Sequence, residues 1–117
     1  MQFALRVLKL CRVLGQKPGE GWAIRDQLVR CGTAIAANHR AACRSRSRRE
    51  FVAKLGVVVE EADETMFWLE LIGRAELVSQ RRLQPLKDEA DELLRIFAAA
   101  HNTSRLQLRN QKSEIRN

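Results

Sequence analysis

Apolar residues recur every three or four positions in four separate stretches of this chain, the spacing of amphipathic helices. Phe3, Val7, Leu10 and Leu14 form the first stripe, with Arg6, Lys9 and Arg12 off it. This predicts a helix over residues 2–14, closed by a connection containing Gly15, Pro18, Gly19 and Gly21. Ile24, Leu28, Cys31, Ile35, Asn38 and Ala42 form the second stripe, over residues 22–44. The opposite face of that helix, through Arg30, Arg40 and Arg44, becomes increasingly basic, and many of its other positions are Gly or Ala.

The sequence Ser47-Arg48-Arg49-Glu50 has the form of a capping box, in which the serine accepts an orphan N–H and the glutamate reaches back. A third helix over 48–74 follows, with Phe51, Leu55, Val58, Ala62, Thr65 or Met66, Leu69 and Ile72 inward. Glu50 and Lys54 are spaced for an i,i+4 ion pair. Ser79 is a cap for a fourth helix over 80–105, whose stripe is Leu83, Leu86, Ala90, Leu93, Phe97 and Ala100. Pro85 in its second turn should kink it or delay its start. Residues 106–117 lose the periodicity and are expected to be a polar, frayed tail. Near-heptad spacing and short connections predict an all-α fold over residues 1–105: an antiparallel, up-and-down four-helix bundle with left-handed packing.

Composition agrees, with no Tyr, two Pro and 45% apolar residues in 117. Charge adds more. The net charge is +7, but residues 1–54 hold twelve Lys/Arg against three acids, while residues 55–117 hold nine against eleven. That asymmetry suits either a polyanionic partner or pairing between oppositely charged faces of different subunits. The densest run is Arg40, Arg44, Arg46, Arg48 and Arg49, joined by Lys54, a candidate phosphate-binding set. Its bland alternative is a solvated face whose cations complement the C-terminal dipole of helix 2. Arg48 and Arg49 fall instead at the unfavourable start of helix 3.

Candidate chemistry is sparse. His39 and His101 are the only histidines and neither has an acid three residues before it, so the Glu-x-x-His pattern of metal-bearing bundles is missing and no metal or cofactor is expected. Cys11, Cys31 and Cys43 form no CxxC and read as reduced thiols of a cytoplasmic protein. His39 lies four residues before Cys43, a spacing that permits contact without implying catalysis. No enzymatic activity is expected. No stretch is apolar enough to span a membrane, and the N-terminus reads as an amphipathic helix instead of a signal peptide. Asn38 is the polar member of an apolar stripe, a packing residue that fixes register or a ligand contact. Phe51 is a packing residue, and Trp68 with Phe67 and Leu71 forms a second apolar patch that hints at an intersubunit surface.

These residues also carry a resemblance. The run through Ala37-Asn38, Arg40-Ala41-Ala42-Cys43-Arg44, Ser47, Phe51, Ala53-Lys54-Leu55-Gly56, Glu60-Glu61-Ala62-Asp63-Glu64 and Trp68-Leu69-Glu70-Leu71 resembles the bacterial four-helix-bundle proteins related to those encoded in 23S rRNA intervening sequences. The chain departs in having His39-Arg40-Ala41-Ala42 where many members have Ile-Ala-Glu-Gly. Members also tend to carry a longer N-terminus. The resemblance implies a cytoplasmic homopentamer with no established enzymatic activity. Distant relatives are basic, RNA-binding accessory proteins of retroelement reverse transcriptases, which implies an RNA partner and, more remotely, a reverse-transcriptase partner. The expectation is a homo-oligomeric basic bundle that binds RNA or another nucleic acid. The competing expectation is a self-assembling scaffold whose charges pair between subunits.

Overall fold

Each of the four stripes becomes one helix. The computed structural model describes residues 1–116, with side chains through Lys112. It contains α1 (Gln2–Leu14), α2 (Glu20–Cys43), α3 (Arg48–Arg74) and α4 (Gln80–Arg116), with no strand among the described residues. The helices form an all-α four-helix bundle in which α1 packs on α2, α2 on α3, α3 on α4, and α4 closes back on α1. Neighbours run antiparallel. Val7 meets Gly32, Arg30 meets Glu64, Arg48 reaches Gln107, and Arg6 pairs with Glu89.

Local chemistry sets the helix ends. Gly19, at φ +86°, turns the chain into α2, which begins at Glu20, two residues ahead of the predicted start. Ser47 is extended, and its Oγ accepts from the Glu50 N–H at 3.1 Å. The reciprocal half of the box is displaced by one residue, since Glu50 Oε2 accepts from the Arg46 N–H at 3.1 Å. At the other end of α3, Leu77 N–H reaches Ile72 O and Glu76 N–H reaches Gly73 O, each at 3.1 Å. This is a Schellman cap with Glu76 in the left-handed region at φ 59°. Ser79 Oγ accepts from Arg82 N–H at 3.3 Å, so α4 starts at Gln80 despite Pro85.

The core follows the predicted stripes except in α1, where Leu10 is half-buried while Ala4 and Cys11 are buried beside the stripe, and two further local choices are settled by packing. Thr65, not Met66, is the fully buried residue of its turn. Its hydroxyl donates to Glu61 O at 2.8 Å and lies 3.3 Å from Cys31 Sγ on the neighbouring helix, which removes the cost of burying it. Val52 is buried while Phe51 is half-buried beside it. Gly32 lets α1 approach, because a Cβ there would stand 2.8 Å from Val7 Cγ1.

The bundle is a rod of 59 × 22 × 21 Å whose two ends differ. Thirteen residues give α1 a length of about 20 Å, against about 55 Å for the 37 residues of α4. Met1, Ala4 and Leu5 share a groove with Ala36 and Ala37, and from there on α2, α3 and α4 continue without α1. Burial changes accordingly. Ala90 is the last fully buried described side chain of α4; Leu93, Leu94 and Phe97 are half-buried, and Ala100, the last residue of the predicted stripe, is exposed. The helix nevertheless continues past Arg105 to Arg116, where loss of periodicity predicts a frayed tail. The sequence after Pro85 contains no Gly or Pro to break it, and its Leu, Gln, Arg and Lys are good helix formers. Asn117 lies outside the described residues.

Candidate nucleic-acid interface

The basic run predicted from sequence forms the tip of the three-helix end. The Arg44 and Ser45 N–H groups donate to Ala41 O and Ala42 O at 3.2 and 3.1 Å, tightening the last turn of α2. Four residues later Ser47 has capped α3. Arg40, Arg44, Arg46, Arg48 and Arg49 are therefore held within one short helix–connection–helix segment, and all five are exposed.

Their lack of partners separates them from four other arginines. Arg6 pairs with Glu89, Arg25 with Asp26, Arg95 with Asp91, and Arg30 bridges from α2 to Glu64 at 2.5 Å and Glu61 at 3.5 Å on α3. Arg40, Arg44, Arg46 and Arg49 make no side-chain ion pair among the described residues. Arg48 donates to the neutral Gln107 Oε1 at 2.9 Å, which leaves its charge uncompensated. Lys54 is different: its Nζ lies 2.8 Å from Glu50 Oε1. The hydrogen bonds from Lys54 and from the Arg46 N–H hold the Glu50 carboxyl below the usual carboxylate range. This leaves Lys54 less available to a phosphate than the arginines.

Sequence reasoning missed a second group of cations at the same end. Because α4 continues as a helix, it carries Arg105, Arg109 and Lys112, all exposed, past the α2–α3 connection. The loss of hydrophobic period hid them, although their own 4-3 spacing was a signal that they share a helix face. Between the two groups lies an open cleft of about 430 Å³, whose lining includes Ser45, Arg48, Phe51, Ser104 and Gln107. The Ser45 Oγ is buried without a hydrogen-bond partner.

The packing residues fall at different depths. Asn38 is half-buried, because the α2 stripe outruns α1 at this point. Phe51 packs against the edge of the core. Trp68 is half-buried on α3, edge-on to the 54% exposed Phe67, and its indole N–H has no partner. With the exposed Val57 and Ile96, Phe67 leaves apolar surface on the outside of α3 and α4.

The spacing of His39 and Cys43 does bring them together. Cys43 Sγ is 3.6 Å from His39 Nε2, and the imidazole tilts against Phe97 with centroids 5.1 Å apart. Among the described residues no carboxylate is hydrogen-bonded to the imidazole, so the pair lacks the orienting third member of a nucleophilic site there. Cys11 and Cys31 are buried thiols; burial raises Cys11 to about 11 and pushes Cys31 up as well. The described residues hold no cluster of three or more His, Cys, Asp or Glu able to bind a metal, and no described helix is long and apolar enough to cross a membrane.

Comparison with known proteins gives two findings. The family model described as 23S rRNA-intervening sequence protein matches residues 1–99. Among solved structures, the chain is similar to a protein of unknown function from the S23 ribosomal protein family of Bacteroides thetaiotaomicron. The two are 31% identical with a TM-score of 0.80 over 86% of this chain and 92% of that one. No curated protein matches.

Proposed function

The chain belongs to the 23S rRNA-intervening sequence protein family, and from that premise we propose that it is a non-enzymatic, self-associating helical bundle that binds RNA through the tip of its three-helix end. The observation that carries this reading is the contrast among its arginines. Arg6, Arg25, Arg30 and Arg95 are matched to carboxylates, and the unmatched Arg12, Arg74, Arg81 and Arg82 are spread over three helices, whereas Arg40, Arg44, Arg46, Arg48 and Arg49 are exposed, unmatched among the described residues and crowded into one helix–connection–helix segment. Guanidinium groups so placed suit bidentate contact with phosphate oxygens. Phosphate contact of this kind positions a nucleic acid without reading its sequence.

Self-association rests on two supports. The family resemblance implies a homopentamer, and Val57, Phe67 and Ile96 present apolar surface outside the core. A ring of copies would multiply the basic tips and so raise avidity for one RNA. Cytoplasmic residence fits three unpaired cysteines. A reverse-transcriptase partner rests on distant relatives alone.

Binding of the chain to a structured RNA across a salt series tests the proposal. Affinity should fall by orders of magnitude between about 50 and 200 mM salt when several phosphates are contacted. Absence of binding at low salt removes the reading. Native mass spectrometry of material purified without nuclease reports subunit number and any co-purified RNA together.

A scaffold with charges paired between subunits is the second reading, favoured by the exposed Glu60, Asp63 and Glu70 on α3. Replacing Arg44 and Arg48 by Glu separates the two. The RNA reading expects an intact oligomer that no longer binds RNA, and the scaffold reading expects dissociation.

A further inference from the structure

α4 outlasts the rest of the bundle, and its free end is chemically one-sided. Its last hydrogen-bonded tie to α3 is Gln107, which accepts from Arg48, the first residue of that helix. Nine further residues carry α4 to Arg116, a projection of about 13 Å beyond the α2–α3 connection. From Leu93 to Ser113 the sequence contains no acid. Arg105, Arg109 and Lys112 follow one another at i, i+4 and i+7 and so share one helix face, with axial steps of about 6 and about 4.5 Å. None of the three has a carboxylate partner among the described residues, and Arg105 donates to Asn102 Oδ1 at 2.9 Å.

Helix stability alone does not account for this. Cations near a helix C-terminus complement its dipole, but that effect is confined to the last turn. The stripe begins eleven residues before Arg116.

We propose that the end of α4 from Arg105 onward is an arm that lies along the phosphate backbone of double-helical RNA, with Arg105, Arg109 and Lys112 on successive phosphates and the α2–α3 arginines on the facing strand. The proposal rests on the RNA-binding reading and adds to it the class of RNA and the element that selects it. Two cationic surfaces separated by a cleft fit the narrow major groove of A-form RNA, where phosphates of two strands face each other. Arg48 lines that cleft and can receive a phosphate between the two surfaces. A single strand would instead call for exposed aromatic platforms. The tip exposes no Phe, Trp or Tyr: Phe51 and Phe97 are half-buried, the exposed Trp22 and Phe67 and the half-buried Trp68 lie elsewhere on the rod, and there is no Tyr.

Fluorescence anisotropy with the whole chain and a labelled RNA duplex of about 20 base pairs tests the arm. Arg105→Gln, Arg109→Gln and Lys112→Gln together should weaken duplex binding by about tenfold or more near 0.1 M salt and flatten the salt slope by between about two and three. Lys9→Gln, Arg12→Gln and Arg81→Gln together remove the same charge from the opposite end and should leave affinity within about twofold. Helix content by circular dichroism should be retained in both. Arg105→Lys with Arg109→Lys should bind nearly as the parent does, which separates lost charge from a disturbed helix. Equal losses in the two triple variants, or an arm variant that binds like the parent, overturn the arm while RNA binding stands. Tighter binding of the parent to a single strand than to the duplex overturns the RNA class. Failure of the parent to bind any RNA at low salt overturns the RNA-binding reading itself.

Discussion

The two ends of the rod are built from the same kinds of helix and solve different problems. At the α1 end, four helices enclose Val7, Leu14, Leu28, Leu69, Ile72 and Leu83, all essentially inaccessible. Gly32 and Gly21 bring backbones together there, and Arg6 is tied across to Glu89. At the far end only three helices remain, α4 has no fully buried described side chain beyond Ala90, and Arg40, Arg44, Arg46, Arg48 and Arg49 crowd together without an ion pair among the described residues. The stability of the fold is concentrated where α1 closes the bundle. The surface available to a partner is concentrated where α1 is absent. Unpaired like charges repel, and here they sit where the packing beneath them is weakest, so the closed end must hold the fold against their repulsion.

The same truncation made at each end tests that division and should give the largest effect. Leu28 is wholly buried among α1, α2 and α3, and Leu28→Ala should cost about 3 kcal/mol of unfolding free energy, with loss of packing around α1. Leu93→Ala, on the half-buried stretch of α4, should cost about 1 kcal/mol. Urea unfolding of both variants measures the difference. Equal costs would mean that the three-helix end is as tightly packed as the other.

Thiol chemistry sharpens the comparison through a rate instead of an energy. Cys43 is exposed at the open end, whereas Cys11 and Cys31 are buried in the closed one. A disulfide reagent at neutral pH should modify one thiol per chain quickly and the other two only at the rate of opening. Peptide mapping should place the fast site at Cys43. The buried thiols add a pH signature of definite sign. Burial lifts Cys11 from 9.0 to about 11, so the unfolded chain releases this proton before the folded one. Stability is fully present below about pH 9 and falls as pH rises toward 11. Replacement of Cys11 by Ser should remove part of that alkaline loss.

The closed end was largely legible in the sequence and the open end only partly so. Stripes such as Leu55-Val58-Ala62 and Leu83-Leu86-Ala90 specify burial because a helix face turns with a fixed period, and the packed structure obeys it. Ser47 and Glu50 announced the start of α3 from four residues. The choice of Thr65 over Met66 was not readable, since it depends on Cys31 across the interface. Nor was the division of arginines into matched and unmatched, because Arg30 finds Glu61 and Glu64 some thirty residues away. The arm escaped notice for a different reason. Hydrophobic period reports contact with a core, and a helix that leaves the core keeps its backbone while losing that signal.

The capping box supplies a medium-sized test at the open end. Ser47→Ala removes the acceptor for the Glu50 N–H and should cost about 1 kcal/mol. Ser47→Asp should keep most of that stability and complement the positive end of the α3 dipole. Because the cap also fixes the geometry of Arg46, Arg48 and Arg49, Ser47→Ala should weaken RNA binding more than its charge-neutral chemistry suggests. RNA affinity unchanged in a folded Ser47→Ala protein would show that the arginines act as a diffuse charge and not as a placed set.

The smallest effect is the most discriminating. Arg30→Gln breaks both bonds from α2 to α3 and leaves Glu61, whose carboxyl is already raised by burial, without its cation. Its melting temperature should fall slightly but measurably. Arg49→Gln removes the same charge from a side chain with no acidic partner, so the melting temperature should stay the same or rise as repulsion at the tip is relieved. Added salt should narrow the gap between the two, because an exposed bridge and exposed repulsion are both screened. If Arg49→Gln lowers the melting temperature as much as Arg30→Gln does, the tip arginines are structural, and a folding role would account for their presence without RNA. If it does not, their lack of a side-chain ion pair among the described residues is a property of the surface, held in place by the closed end and available to a polyanion.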